Sequence, residues 1–382
     1  MAKEDLERLD CPIAHRCGGC ALFELPYGAQ LAEKRRRVGE ALAAHPELRG
    51  VEIDACSPAP ARTDYRNRAK LSVVAAGGSV RTGLHRRGTN EVVDLEPCRV
   101  HAPALSATLP EFKNWLGRYD LATPSGPVKH LDMRLAENDG IHLTLVVGLA
   151  EDRLPDLPLD DLAALVPRMV GVSVNFNPRS SSYVFGPVTR TLLGSRTFMA
   201  PMPSHDGGAI SFEVPATGFF QVAPAQLPPI HGLIGKHLGT GGALLDLYCG
   251  VGVHGLALGG SPVVGIEESP AAAACARRNA HRLGVEARYA SGPVEKLLPD
   301  EIARIAPVGV ILNPGRPGCR RTVLEALEPG RARRIAYLSC EPRTLARDLA
   351  VLVRAGWNVR RIVPIDMMPH TDQVEALALL VG

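Results

Sequence analysis

The 382-residue chain has no stretch approaching the roughly 18 consecutive apolar residues of a membrane span, which excludes a helical membrane protein. Its first ten residues, MAKEDLERLD, lack the apolar core of a secretory signal, so the expected location is the cytoplasm, away from any membrane. There is no internal repeat and no low-complexity tract, which sets aside solenoids and disordered linkers. Lysine is scarce: of 43 basic residues only seven are Lys, and the net charge is +3, too small by itself to indicate a nucleic-acid partner. The abundant Arg offers a planar fork suited to phosphate, although a GC-rich genome would enrich it equally. What is present is globular. Apolar residues make up 46% and charged residues 22%, and at about 150 residues per domain the length implies two domains.

Nine cysteines without a signal peptide argue against a disulfide framework. Cys11, Cys17 and Cys20 cluster in CPIAHRCGGC, and Cys98 stands alone in EPCRVH. Three clustered thiolates with one distant thiolate suit a tetrahedral zinc ion or an iron–sulfur cluster; an accidental CxxC pair beside unrelated buried thiols is the bland alternative.

Residues 27–44 read as an amphipathic helix with Lys34, Arg35, Arg36 and Arg37 on its wet side. Residues 62–100 then alternate like antiparallel strands. From 62 to 90 they carry Arg62, Arg66, Arg68, Lys70, Arg81, Arg86 and Arg87 against Asp64 alone, either a phosphate-binding face or a solvated surface. Short strand-like runs continue to about 220. Near 224 the texture changes to alternating strands and helices, so the expected division is 1–223 and 224–382, the second part a doubly wound sheet of α/β class.

Within that second part, LLDLYCGVG ends a strand at Asp246 and turns through Gly250 and Gly252, which permit close approach of a ligand. The next strand ends in Glu267, suited to accept both hydroxyls of a ribose. CGVGVHG in place of GxGxxG, with an Asp on the strand, favours S-adenosylmethionine over a dinucleotide. Cys340, in AYLSCEPRTL, lies where a strand gives way to a helix whose free N–H groups favour a thiolate. Cys249, Cys275 and Cys319 compete with it on position alone. Glu375 precedes an apolar strand, where partial burial would raise its pKa toward that of a general base; a solvated edge charge is the simpler reading.

Taken together, these segments resemble the bacterial RNA uracil-C5 methyltransferases over most of the chain. CPIAHRCGGC with EPCRVH looks like that family's four-cysteine [4Fe-4S] site. YRNRAKLSV and GLHRRGTNEVVDLEPC resemble its central β domain, and GFFQV, LLDLYCGVG, VVGIEES, SCEPRTLARDL and DMMPHTDQVEALALL follow its methyltransferase domain in order. With the first cluster cysteine already at residue 11, the expected type is the short form without an N-terminal barrel, acting on 23S ribosomal RNA. The resemblance implies an iron–sulfur and central β RNA-binding domain over 1–223 and an S-adenosylmethionine-dependent methyltransferase domain over 224–382. Cys11, Cys17, Cys20 and Cys98 would hold the cluster, with zinc the less favoured occupant. Gln221, Tyr248, Glu267 and Asn313 would contact the cofactor; Cys340 would be the nucleophile and Glu375 the base. The partner is RNA, no obligate protein partner is legible, and a monomer is the default.

Three pocket positions depart from that family's pattern. NPGR stands where DPPR is usual, putting Asn313 for Asp. Glu341 replaces the Asn after the nucleophile, and Gln373 replaces a His before the base. A carboxylate at 341 should raise the thiol pKa unless Arg343 or Arg316 offsets it. These departures keep two alternatives open: the same reaction on transfer RNA or another RNA, and an RNA-binding relative whose pocket has drifted.

Overall fold

The computed structural model describes residues 8–95, 97–122, 126–178, 184–204, 207–259 and 262–382. The N-terminal half is built on β1 (Arg68–Ala76), β2 (Ser79–His85), β3 (Val92–Asp94), β4 (Val128–Leu135), β5 (Ile141–Val147), β6 (Met169–Phe176) and β7 (Val188–Gly194), ordered β3-β2-β1-β4-β5-β6-β7. Strict alternation makes one face apolar: Ala69, Leu71 and Val73 of β1 are buried while Arg68, Lys70 and Ser72 face the other way. Helix Leu109–Arg118 covers the apolar face with Phe112, Trp115 and Leu116, all fully buried. The sheet is antiparallel as expected except for β5–β6, which pair in parallel. A parallel pair requires a crossover, and residues 148–168, including helix Leu159–Leu165, provide it.

A hairpin of β8 (Thr197–Pro203) and β9 (Ala209–Pro215) follows. The second large sheet contains β10 (Leu244–Leu247), β11 (Val263–Glu267), β12 (Ala287–Ser291), β13 (Gly309–Leu312), β14 (Arg334–Ser339), β15 (Asn358–Ile365) and β16 (Glu375–Val381), in the order β12-β11-β10-β13-β14-β16-β15. From β12 to β14 neighbours run parallel; β16 enters antiparallel between β14 and β15. Helices Leu227–Leu238, Val253–Leu258 and Pro270–Leu283 pack on one face, and Val294–Ile305, Arg321–Ala326 and Pro342–Arg354 on the other. The order reverses at β10, which puts the binding crevice at the carboxyl ends of β10 and β13.

Three segments upstream of residue 224 pack on this second sheet. The β8–β9 hairpin is bound through the buried side chain of Asn279, which accepts from Glu213 N at 2.7 Å and donates to the carbonyls of Glu213 and Val251, each at 3.1 Å. Residues 53–57 bridge to β15, with Ile53 opposite Ile362. Helix Tyr27–Ala43 joins the core through Val38 and Leu42.

That helix corrects one expectation. Tyr27, Gln30, Lys34, Val38 and Leu42 recur at helical spacing along its buried stripe, so Lys34 lies on the dry face and not the wet one. Its ammonium is fully buried, 2.5 Å from Asp366 Oδ1 and 2.9 Å from the Met368 carbonyl, while Tyr27 donates to Asp366 Oδ2 at 2.9 Å. The basic stretch 62–90 is likewise engaged internally: Arg68 pairs with Asp132 at 2.6 Å, Arg86 with Glu91 at 3.1 Å, Arg62 stacks on the Tyr27 ring, and Arg66 donates to the Arg68 carbonyl. The single basic face allowed by the sequence is thereby reduced, with Arg81 and Arg87 exposed. Among the described residues no helix is long and apolar enough to cross a membrane.

Removing one partner of a buried ion pair strands the other charge. Lys34→Met should therefore lower the unfolding free energy by about 3–5 kcal/mol, measured as a shifted urea midpoint at constant slope.

Candidate active site

The pairing of β14 with β16 brings Cys340 and Glu375 to one end of the sheet. Ser339, the last residue of β14, lies opposite Ala376, so Cys340 and Glu375 both adjoin that pair, and the Glu375 charge acts on the Cys340 thiol. Just past Cys340, Glu341 caps helix Pro342–Arg354 by accepting from Arg343 N at 3.3 Å, and the Ser339 hydroxyl accepts from Glu341 N at 3.2 Å. The bend that presents the thiol is held from both sides.

Arg316, from the NPGR segment, is the third member. Its charge acts on the Cys340 thiol and on Glu375, and it donates to Gln373 Oε1 at 3.2 Å. The Thr344 hydroxyl donates to the Arg316 carbonyl at 3.0 Å. Buried Asp348 accepts from Cys319 N at 2.7 Å and from Tyr337 Oη at 2.6 Å, docking the 313–319 segment on the helix that follows Cys340.

Burial pushes Glu375 up to about 7, against the lowering effect of Arg316. Burial, and then the Glu375 charge, raise the Cys340 thiol; Arg316 and the backbone N–H of Cys340 oppose this. Two expectations are corrected here. The thiol is raised by burial, so it is not the ready thiolate expected beside a helix start. The carboxylate acting on the sulfur is Glu375, since Glu341 is engaged as a helix cap.

At the crevice, Tyr248 adopts φ 60°, a left-handed conformation uncommon for a residue with a side chain, between the end of β10 and Gly250. Gly252 has φ 86°, and a Cβ there would lie 2.7 Å from Tyr289 Oη. Glu267 accepts from Gly250 N at 2.9 Å and Ser269 N at 2.8 Å, so it braces the glycine turn. Asp246, fully buried, accepts from Gly255 N at 3.0 Å and is pushed up to about 7 by burial; it supports the turn from beneath. The Tyr248 hydroxyl is directed to Cys319. Asn313 extends β13 and donates through Nδ2 to His254 Nε2 at 2.9 Å. Tyr248, Glu267 and Asn313 thus gather at the carboxyl ends of β10, β11 and β13. Gln221 is buried at the junction with the N-terminal sheet, its carbonyl accepting from Asn67 Nδ2 at 3.2 Å. An open groove of about 850 Å³ beside the site is lined by Arg37, Glu40, His45, Glu341, Arg343 and Thr344.

The other four cysteines lie in one another's electrostatic fields. Cys20, pushed up to about 12 chiefly by burial, feels Cys98, Cys17 and Cys11. Gly19 N lies 3.4 Å from Cys17 Sγ, and backbone N–H groups of Val100 and His101 act on Cys98. No group of three or more His, Cys, Asp or Glu among the described residues is arranged to hold a metal ion. Sequence reasoning missed His254, His231, Asp348 and the Lys34–Asp366 pair; only the helical spacing around Lys34 carried a signal.

The whole architecture superposes on the solved Pyrococcus abyssi tRNA (uracil-54, C5)-methyltransferase in complex with S-adenosyl-L-homocysteine, with a TM-score of 0.74 at 24% identity, covering 98% of this chain and 87% of that one. The fold is therefore that of a methyltransferase. No family model matches the chain. A protein of Nostoc sp. named an uncharacterized RNA methyltransferase is 34% identical over 389 residues, covering 98% of this chain and 83% of that protein. One from Halalkalibacterium halodurans with the same description is 31% identical over 386 residues, covering 97% and 82%. The chain belongs to the RNA methyltransferase family.

The Glu375 environment makes a prediction of definite sign. The folded chain keeps this proton up to about pH 7, whereas an unfolded chain loses it near 4.5, so folding stability falls as pH rises across that window. Glu375→Gln escapes the loss. It should match the parent below about pH 4.5 and exceed it by up to about 3 kcal/mol above pH 7, read from urea unfolding at both pH values.

Proposed function

We propose that this chain transfers a methyl group from S-adenosylmethionine to C5 of a uridine in RNA, with 23S ribosomal RNA as the substrate. The observation that carries the reading is that Cys340 and Glu375 adjoin the last pair of β14 and β16, with the charges of Glu375 and Arg316 acting on the thiol and that of Arg316 on the carboxyl. C5 of uracil is too weak a nucleophile to react unaided. Once the Cys340 thiol has released its proton to solvent, addition of the thiolate to C6 makes an enolate whose C5 is reactive, and S-adenosylmethionine would supply the methyl group when bound. Glu375, with a pKa near 7, then takes the C5 proton so that the sulfur can leave and the double bond return. Arg316 supports the thiolate while it forms. Tyr248, Glu267, Asn313 and Gln221 are the proposed cofactor contacts, supported for the first three by their gathering at the switch point. The target base must leave its stack to reach the thiol, and the groove beside Glu341 and Arg343 is the proposed approach for the strand.

We assign 1–223 to RNA binding and 224–382 to methyl transfer, with helix Tyr27–Ala43, residues 53–57 and β8–β9 built into the second unit's packing. Cys11, Cys17, Cys20 and Cys98 are the proposed holders of a [4Fe-4S] cluster. What supports this is their mutual coupling and the N–H groups turned toward Cys17 and Cys98, which suit thiolate ligands. Zinc is the less favoured occupant of the same four cysteines.

Purified protein incubated with methyl-labelled cofactor and total RNA should label large-subunit ribosomal RNA at uridine C5, and Cys340→Ala should abolish both turnover and the covalent adduct with 5-fluorouridine RNA. Label in transfer RNA would reassign the substrate. RNA binding without any label would make the chain a drifted relative, and turnover by Cys340→Ala would remove the assigned nucleophile. For the cluster, anaerobically purified protein should carry iron and acid-labile sulfide in equal amounts, both lost in Cys20→Ser; zinc without sulfide would refute the assignment.

A further inference from the structure

Behind the end of β13 runs a buried hydrogen-bonded chain that the proposed reaction does not use. Asn313 Nδ2 lies 2.9 Å from His254 Nε2, and His254 Nδ1 lies 3.1 Å from His231 Nε2. Both imidazoles are 3% exposed and meet edge to face, with centroids 5.3 Å apart and planes at 79°. His254 is the second residue of helix Val253–Leu258, directly after the glycine turn, and His231 belongs to helix Leu227–Leu238. Three elements that also support the crevice converge on this chain.

A neutral imidazole carries one donor and one acceptor, so the two bonds at His254 are coupled. With the amide nitrogen toward it, Nε2 must accept, and Nδ1 must hold the proton and donate to His231 Nε2. With the amide oxygen toward it, both bonds would reverse. Burial pushes His254 down to about 4, so the doubly protonated ring that could serve two acceptors at once is not populated at neutral pH.

We propose that His254, backed by His231, is a positioning residue: it engages the Asn313 NH2 inward and thereby presents Asn313 Oδ1 to the crevice as an acceptor for an N–H group of a bound ligand. This deepens the methyl-transfer reading and rests on it. An Asp at 313 would be an acceptor through both oxygens and would need no orienting partner. An Asn has the same polarity toward the crevice only when its NH2 is engaged elsewhere, and His254 engages it. The N–H group belongs either to the protonated amino group of the cofactor or to N3–H of uracil. Cytosine, which has an acceptor at N3, would meet oxygen against nitrogen lone pair and be disfavoured.

Long-range 1H–15N spectra report which imidazole nitrogen holds the proton, independently of any activity. His254 should show a bare Nε2 and a protonated Nδ1; a protonated Nε2 would mean that the amide NH2 faces the crevice and would overturn the proposal. In a second measurement, His254→Leu should weaken binding about tenfold, whereas His254→Gln, whose Oε1 can still accept from Asn313, should stay within about threefold of the parent. A loss in S-adenosylhomocysteine affinity by calorimetry assigns the N–H to the cofactor; a raised KM for RNA with that affinity unchanged assigns it to the base. Equal losses in both variants, or none in His254→Leu, would refute the positioning role. Should the parent methylate no RNA, the spectra and the S-adenosylhomocysteine titration still decide the amide's orientation, so this inference and the function can fail separately.

Discussion

The active site depends on one pairing register. Inserting β16 antiparallel beside β14 with Ala376 opposite Ser339 is what brings Cys340 and Glu375 to one end of the sheet. A slip of one residue would send every side chain of β16 to the opposite face. The strand cannot slip, because Ala376, Ala378 and Leu380 enter one core while Leu377 and Leu379 enter the other, and all five are buried. The apolar packing of a strand buried on both faces therefore fixes which end of the ladder holds Cys340 and Glu375.

The electrostatics of the pair follow from that burial. Both groups are shifted toward their neutral forms by burial, and the Glu375 charge further raises the thiol, so the resting site holds a thiol beside a carboxyl near its midpoint. Arg316 acts on both through its charge. It also donates to Gln373, the residue standing where the resembled family has a histidine. The departures at 313 and 373 therefore have partners of their own: Gln373 accepts from Arg316, and Asn313 is engaged by His254. The departure at Glu341 is absorbed by the helix cap.

Much of the second sheet was legible because β10, β11, β13, β14 and β16 are short apolar runs broken by glycine or proline. β12 escaped notice because it is a half-exposed edge strand, and β15 because Arg360 and Arg361 interrupt it on its solvent side. Cys340 and Glu375 were recognisable through their motifs, yet their meeting depends on a strand pairing that spacing does not encode. The buried partners were the hardest to read. Lys34 and Asp366 are separated by 332 residues, and nothing local distinguishes a lysine that is buried from one in water, except that Lys34 falls on the apolar stripe of its helix. The basic run at 62–90 misled for the complementary reason: composition counts charges without showing which of them, such as Arg68 with Asp132, are already paired.

The segment that delivers Glu375 is held chiefly from the N-terminal side of the chain. Asp366 is fixed by Lys34 and Tyr27, and His370, itself at φ 68°, is bracketed by Gln30 and by Leu22 N. Tyr65 donates to the Pro369 carbonyl at 3.0 Å, and Arg66 reaches Met368 Sδ at 3.6 Å. Tyr65 and Arg66 also lie within the fields of Cys20 and Cys98. The residues before the first sheet are thus part of the scaffold that positions Glu375. A left-handed residue such as His370 persists only where its surroundings over-determine it, and here those surroundings come from some 340 residues upstream. Position 375 is consequently set from two directions, by strand register on one side and by the N-terminal helix on the other, which explains why a buried ammonium with no contact to the pocket belongs to the physics of the site.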